Sequence, residues 1–162
     1  MKRAVLLLFC IALASPVGAS TRRPVLVELF TAQGCSSCAK ANALVGQIAE
    51  RPGVLALTWS VDYWDYLGWK DTFAQPEYAA RQQRYERRFG FRNVYTPQVV
   101  IDGETQASGD KPAEIDALIQ GARHSHRQGP LVKFLSGGRI GVGTGASRVG
   151  TADVWLLSLI HI

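Results

Sequence analysis

The chain has 162 residues, is 47% apolar, and sets 18 Lys and Arg against 13 Asp and Glu for a formal charge of +5. That composition fits a globular chain with one real core and leaves little room for two domains. The basic excess is mild, and with no zinc-finger, glycine-loop or aromatic-basic repeat beside it, nucleic acid is set aside as a partner.

The N-terminus carries an export pattern. Lys2 and Arg3 precede eleven apolar or small residues, Ala4 to Ala14, followed by Ser15-Pro16 and the small-residue cleavage site Val17-Gly18-Ala19. Residues 1–19 are therefore predicted to be a secretory signal. The apolar run falls well short of the roughly 20 residues that a helix needs to cross a bilayer. No stable membrane anchor is expected after cleavage, and the predicted location is periplasmic or secreted. Cys10 follows Phe9, where a lipid-attachment cysteine would follow a small residue, so it should leave with the signal. Cys35 and Cys38 are then the cysteines of the mature chain, in oxidising surroundings.

Pro24 to Phe30 (PVLVELF) is a short apolar run closed by the turn-like Thr31 to Gly34, the pattern of a buried strand. A helix is expected from Ser36, with Ala39, Ala43, Leu44, Val45 and Ile48 on a broad apolar face and Pro52-Gly53 as its stop. Val54 to Val61 (VLALTWSV) is almost continuously apolar, as in a strand covered on both faces, and completes a βαβ unit. Asp62 to Thr72 (DYWDYLGWKDT) is an aromatic loop. Pro76 opens a helix that puts Tyr78, Gln82, Tyr85 and Phe89 on one stripe and Arg81, Arg84, Arg87 and Arg88 largely elsewhere, with Gly90 to end it. After Thr96-Pro97, the stretch QVVID, the turn Asp102-Gly103 and ETQAS predict a β-hairpin with a two-residue connection. Lys111 to Ala122 predicts a closing helix with Ile115, Leu118 and Ile119 inward. From Gly129 the texture changes to short strands around Gly137-Gly138 and a third run, TADVWLL. The chain ends at SLIHI with no polar tail, so this β extension is expected to be truncated.

Strand, Cys-x-x-Cys, helix, strand, long insert, Thr-Pro, hairpin, helix is the order of the thioredoxin fold. The expected class is α/β, with a thioredoxin-like domain over 20–128 and an antiparallel β extension over 129–162. Cysteines three apart on a first helical turn face the same way, so their sulfurs can close a disulfide. The helix N-terminus stabilises a thiolate. Cys35 is the expected exposed nucleophile, and Cys38, one turn inside, would resolve a mixed disulfide. Four alternatives stand beside redox exchange. A staple across so short a loop would remove little unfolded-state entropy. Zinc needs about four ligands, and beyond this pair there are only His124, His126 and His161. Two thiolates do suit Cu(I), so a copper metallochaperone ranks next after redox exchange. A non-catalytic binding module is the remaining alternative. No cofactor and no resident metal are expected, and the partners would be protein thiols or disulfides.

Two further features bear on that chemistry. Glu28 is the lone charge in VLVELF, and a carboxylate buried near the root of the cysteine loop could exchange a proton with Cys38. Equally, it could pair with an arginine of the basic helix. Thr96-Pro97, in a tight turn before a strand, can adopt a cis bond that would offer the Thr96 backbone to an extended substrate, or it can be an ordinary trans proline at a strand start. Trp64 and Trp69, interleaved with Asp62, Asp65 and Asp71, suggest a substrate-binding lip, the plainer reading being an aromatic cap with solvated acids.

The stretches VELFTAQGCSSC, VDYWDYLGWKDTFA, RQQRY and VYTPQVVIDG together resemble a domain-of-unknown-function family of bacterial secreted proteins with a thioredoxin-like fold. The likeness runs from about Val25 to about Leu157 and implies fold and export, with no substrate attached. It points to Cys35 and Cys38, to Asp62 through Asp71, to Arg81, Gln82 and Tyr85, and to Thr96-Pro97-Gln98. Ala39 stands where that family commonly has proline, and the sequence departs from the pattern after Leu157.

Overall fold

A computed structural model describes residues 23–125, 132–143 and 157; the predicted signal, His126, His161 and all of TADVWLL except Leu157 lie outside them. The described chain is a mixed α/β arrangement. Its elements are β1 (Val25–Thr31), α1 (Cys38–Ala49), β2 (Val54–Ser60), α2 (Pro76–Phe89), β3 (Gln98–Ile101), β4 (Thr105–Ser108), α3 (Pro112–His124), β5 (Val132–Phe134) and β6 (Ile140–Val142). The first four strands form one sheet in the order β2-β1-β3-β4. β2 runs parallel to β1, β3 runs antiparallel to β1, and β4 turns back on β3.

Side-chain alternation along β1 divides the core. Val25, Val27 and Leu29 point to one face, where they meet Val99, Ile101, Ala41, Val45 and Ile48 of α1, and Ile115 and Ile119 of α3. Phe30 points to the other face, with Leu57, Trp59 and Val100 of the sheet and Ala79 of α2. Period-two strands and period-3.6 helices thus assemble three layers, helices over both faces of the sheet. Cys35 and Cys38 cluster with the α2 side, although Cys38 begins α1, so the pair lies where the layers meet.

Several boundaries and faces differ from expectation. In α1 the buried positions are Cys38, Ala41, Val45 and Ile48, a tighter i, i+3, i+4 stripe, while Ala39 and Ala43 face out. Strand β2 is not covered throughout: Leu55 is 41% exposed, because β2 is one of the two edge strands and is flanked only by β1. The hairpin ladder closes at Ile101 opposite Thr105, so Glu104 joins the Asp102-Gly103 connection. Both turn residues have positive φ, 49° and 67°, which Asp and Gly tolerate. Asp102 is also tied to Leu26 at both its N–H (2.8 Å) and its carboxylate (2.7 Å), extending the β1–β3 pairing into the turn. Helix α3 runs through Gly121 to His124. Strands β5 and β6 pair antiparallel around Gly137 and Gly138, both at positive φ, as the two glycines suggested.

Candidate functional site

Strand β1 ends at Thr31, and the chain then wraps tightly: the Cys35 N–H donates to the Ala32 carbonyl at 3.2 Å and the Cys38 N–H to the Cys35 carbonyl at 3.1 Å. This coil brings the two Cα atoms to 5.4 Å and closes a disulfide between Cys35 and Cys38, a separation within the range such bonds need. Helix α1 starts at Cys38 itself, so Cys35 lies in the turn before it. The exposed Cys35 expected from the sequence is instead nearly enclosed, at 6%, with Cys38 at 1%. Cys35 packs into the buried cluster of the α2 side with Phe30, Trp59 and Val61, while Ser36 and Ser37 project outward and the Ser37 hydroxyl lies 3.6 Å from the Cys35 sulfur.

Three segments hold the turn. The aromatic loop lies on one side. The Asp71 carboxylate accepts from the Gln33 N–H at 2.9 Å and from the Phe73 N–H at 2.9 Å, and the Trp69 indole donates to the Gln33 side chain at 2.6 Å. Asp71 is therefore buried structure, not a solvated acid. A Cβ on Gly34 would come 3.2 Å from the Trp64 Cβ, so the glycine lets the cysteine turn lie against Trp64. Trp64 then donates its indole N–H to the Thr96 hydroxyl at 2.8 Å. Trp69, at 63%, with Tyr66, Leu67 and Phe73, forms an exposed apolar rim.

The second segment is Thr96-Pro97, whose peptide bond is cis. The Pro97 carbonyl accepts from the Gly109 N–H at 2.9 Å. A Cβ on Gly109 would meet the Cβ atoms of both Ala41 and Pro97 at 2.8 Å. Gly109, invisible as a site residue in the sequence, is thus the point where the end of β4 touches α1 and the cis proline together; the small stretch Ser108-Gly109-Asp110 before a helix was its only signal.

The third segment is α2. Fully buried Gln82 donates to the Tyr95 carbonyl at 2.7 Å and to the Gln98 side chain at 2.9 Å, and accepts from the Tyr63 hydroxyl at 3.1 Å. It ties helix, aromatic loop and the Thr96-Pro97 approach in one network. Tyr95 bonds Gln106 on β4. Burial pushes the Tyr63 hydroxyl up to about 12, against hydrogen bonds with Gln82 and Thr96 that lower it. Burial also raises Tyr95, helped by the charges of Glu114 and Asp110.

Glu28 is fully buried on β1. Its carboxylate accepts from Arg81 Nε at 2.6 Å, Trp59 Nε1 at 2.9 Å and the Tyr85 hydroxyl at 2.5 Å. Arg81 therefore turns inward from the helix face, with its guanidinium 5.2 Å from the Trp59 ring centre. Burial acts to lower the Arg81 pKa, but the Glu28 hydrogen bond and charge outweigh it and leave it above its ordinary value. Burial, and then the Glu28 carboxylate, raises the Tyr85 phenol well above its own. No hydrogen bond links Glu28 to either cysteine among the described residues; the arrangement is the arginine pairing that its position allowed.

Among the described residues no group of three or more His, Cys, Asp and Glu is placed to hold a metal, and His124 is bonded to the Gln120 carbonyl at the end of α3. No helix among them is long and apolar enough to cross a membrane.

A family described as a protein of unknown function, DUF1223, matches residues 26–160. The chain belongs to the DUF1223 family. The match runs to residue 160, three residues beyond Leu157, so the departure expected after Leu157 begins no earlier than residue 161. The X-ray crystal structure of a protein from Agrobacterium tumefaciens is similar, with 32% identity and a TM-score of 0.63, over 72% of this chain and 55% of that one. This DUF1223 chain thus spans about half the length of that relative. No curated protein matches.

Proposed function

We propose that this DUF1223 protein is an exported, thioredoxin-like protein that exchanges disulfides with protein thiols through Cys35 and Cys38. The observation that carries the reading is the Cys35–Cys38 disulfide at the head of α1, with Pro97 held beside the same helix through Gly109. The export pattern of residues 1–19 supports a compartment in which such a pair is used for exchange. A client thiolate attacks the Cys35 sulfur, the Cys35–Cys38 bond breaks, and Cys38 leaves as a thiolate that takes a proton. In the reverse direction Cys38 attacks Cys35 of the mixed disulfide and expels the client thiolate. The N-terminal end of α1 stabilises the anion that appears at either sulfur. The apolar rim of Tyr66, Leu67, Trp69 and Phe73 offers the client a contact surface beside the cysteines. Glu28, committed to Arg81, Trp59 and Tyr85, anchors α2 to the sheet in this scheme and carries no proton for Cys38.

Trapping in the exporting cell tests the proposal. A Cys38→Ala variant, unable to resolve, should accumulate mixed disulfides with client proteins through Cys35, and a Cys35→Ser, Cys38→Ala chain should accumulate none. Equal and negligible trapping by both would refute exchange as the activity.

A further inference from the structure

Beside the cysteine turn lies a groove of about 540 Å3, lined by Ser36 and Ser37 of the turn, by Lys40 and Leu44 of α1, and by Gly109, Asp110 and Pro112 at the β4–α3 connection. Its volume is that of a small-molecule cleft. Two of its walls are the residues that separate the cysteines. It presents one cation, Lys40, and one anion, Asp110, both exposed, and neither has an ion-pair partner among the described residues. Cys35 is itself nearly enclosed, so a small molecule held beside Ser36 and Ser37 lies next to the disulfide without needing a broad contact surface. A molecule suited to this groove carries a carboxylate, an ammonium and a sulfur on a short frame.

Resting on the exchange reading above, we propose that the groove binds a small zwitterionic aminothiol, its carboxylate at Lys40 and its ammonium at Asp110, and presents its sulfur to Cys35. The thiolate RS⁻ attacks the Cys35 sulfur, forming Cys35–S–S–R while Cys38 leaves and is protonated. A second RS⁻ attacks the R-bearing sulfur and expels the Cys35 thiolate, which takes a proton. The sum is one protein disulfide reduced to two thiols and two RSH oxidised to RSSR, with two electrons passed. The same steps run backwards let RSSR oxidise the dithiol. Gly109 lets the chain just before Asp110 lie close to α1, because a Cβ there would run into Ala41 and Pro97.

Four thiols separate the contributions: L-cysteine, N-acetylcysteine without the ammonium, cysteine ethyl ester without the carboxylate, and 2-mercaptoethanol with neither. The rate at which each opens the disulfide of the folded full chain, followed by alkylation and mass, is divided by that thiol's ionised concentration. L-cysteine should be fastest per thiolate at low salt, with the advantage shrinking as salt screens the charges. Asp110→Asn should lower the ratio of L-cysteine to N-acetylcysteine about threefold, and Lys40→Gln the ratio of L-cysteine to its ester about threefold, the size of an exposed ion pair. Exchange by all four thiols with both ratios unmoved would overturn the groove assignment and leave the exchange reading standing. Failure of every thiol to open the disulfide would overturn both.

Discussion

Replacing Glu28 by Gln keeps the volume of a fully buried side chain and removes only its charge. In the native protein its two oxygens accept from Arg81, Trp59 and Tyr85 at 2.6, 2.9 and 2.5 Å. The amide oxygen of Gln can still accept from Trp59 and Arg81, and the Tyr85 hydroxyl can rotate to accept from the new NH₂, so the contacts survive while the charge assistance does not. Breaking a buried ion pair costs about 3–5 kcal/mol when the remaining charge is stranded. The Arg81 side chain is 28% exposed and can reach water, which places the expected loss at the lower end, about 3 kcal/mol. Equilibrium denaturation of the oxidised full chain measures it, as a lower midpoint with an unchanged slope. Arg81→Gln leaves the carboxylate buried without its cation and should cost at least as much. The double variant should recover a coupling of at least about 1 kcal/mol. Because Glu28 bonds neither cysteine, the folded Glu28→Gln protein should exchange thiols at the wild-type rate across pH. A stability loss below about 1 kcal/mol, or a slowed exchange in the folded variant, would refute the anchoring role and restore a chemical one.

Gly109→Ala places a methyl within 2.8 Å of both Ala41 and Pro97 and should destabilise by about 1–3 kcal/mol, measured by the same denaturation; an unshifted midpoint would mean that this three-way approach is slack. Asp71→Ala strips the acceptor from the Gln33 and Phe73 N–H groups. It should cost about 2 kcal/mol and speed chymotrypsin cleavage within 62–74, whereas unchanged cleavage would show that the loop is held by other contacts. The tyrosines give a pH dependence. Tyr63 keeps its proton up to about 12 in the folded state and releases it near 10 when unfolded, so its contribution to stability is whole below about pH 10 and is lost as pH rises through 12. Tyrosinate absorbance should show a late component that Tyr63→Phe reduces, the raised Tyr85 and Tyr95 supplying the remainder, and complete titration near 10 in the folded protein would contradict the burial.

Much of this architecture could be read locally. Alternation in VLVELF, the Asp-Gly turn and proline at the start of two helices each act within a few residues, and β1, β3–β4, α2 and α3 fall close to where those signals put them. The cysteine pair and Thr96-Pro97 were legible for the same reason. Contacts between distant segments left no such trace. Nothing in the sequence near Asp71 says that it will accept from Gln33, and nothing near Arg81 says that it alone among its helix's arginines will turn to Glu28. Leu55 belongs to an apolar run like any buried strand's, yet its exposure follows from β2's place at the sheet edge, a property of topology. Glu28 was recognisable as anomalous because a charge interrupts an apolar strand, but the residues that answer it lie 31 to 57 positions away.

The central claim is that Cys35 is the reactive sulfur, poised at the head of α1 despite its enclosure. Reduced full-length protein, pulsed with iodoacetamide at a series of pH values and mapped by mass spectrometry, measures this directly. Cys35 should be alkylated well ahead of Cys38 and, at neutral pH, faster than free cysteine. Labelling of Cys35 no faster than that of a free thiol, or slower than that of Cys38, would contradict the account.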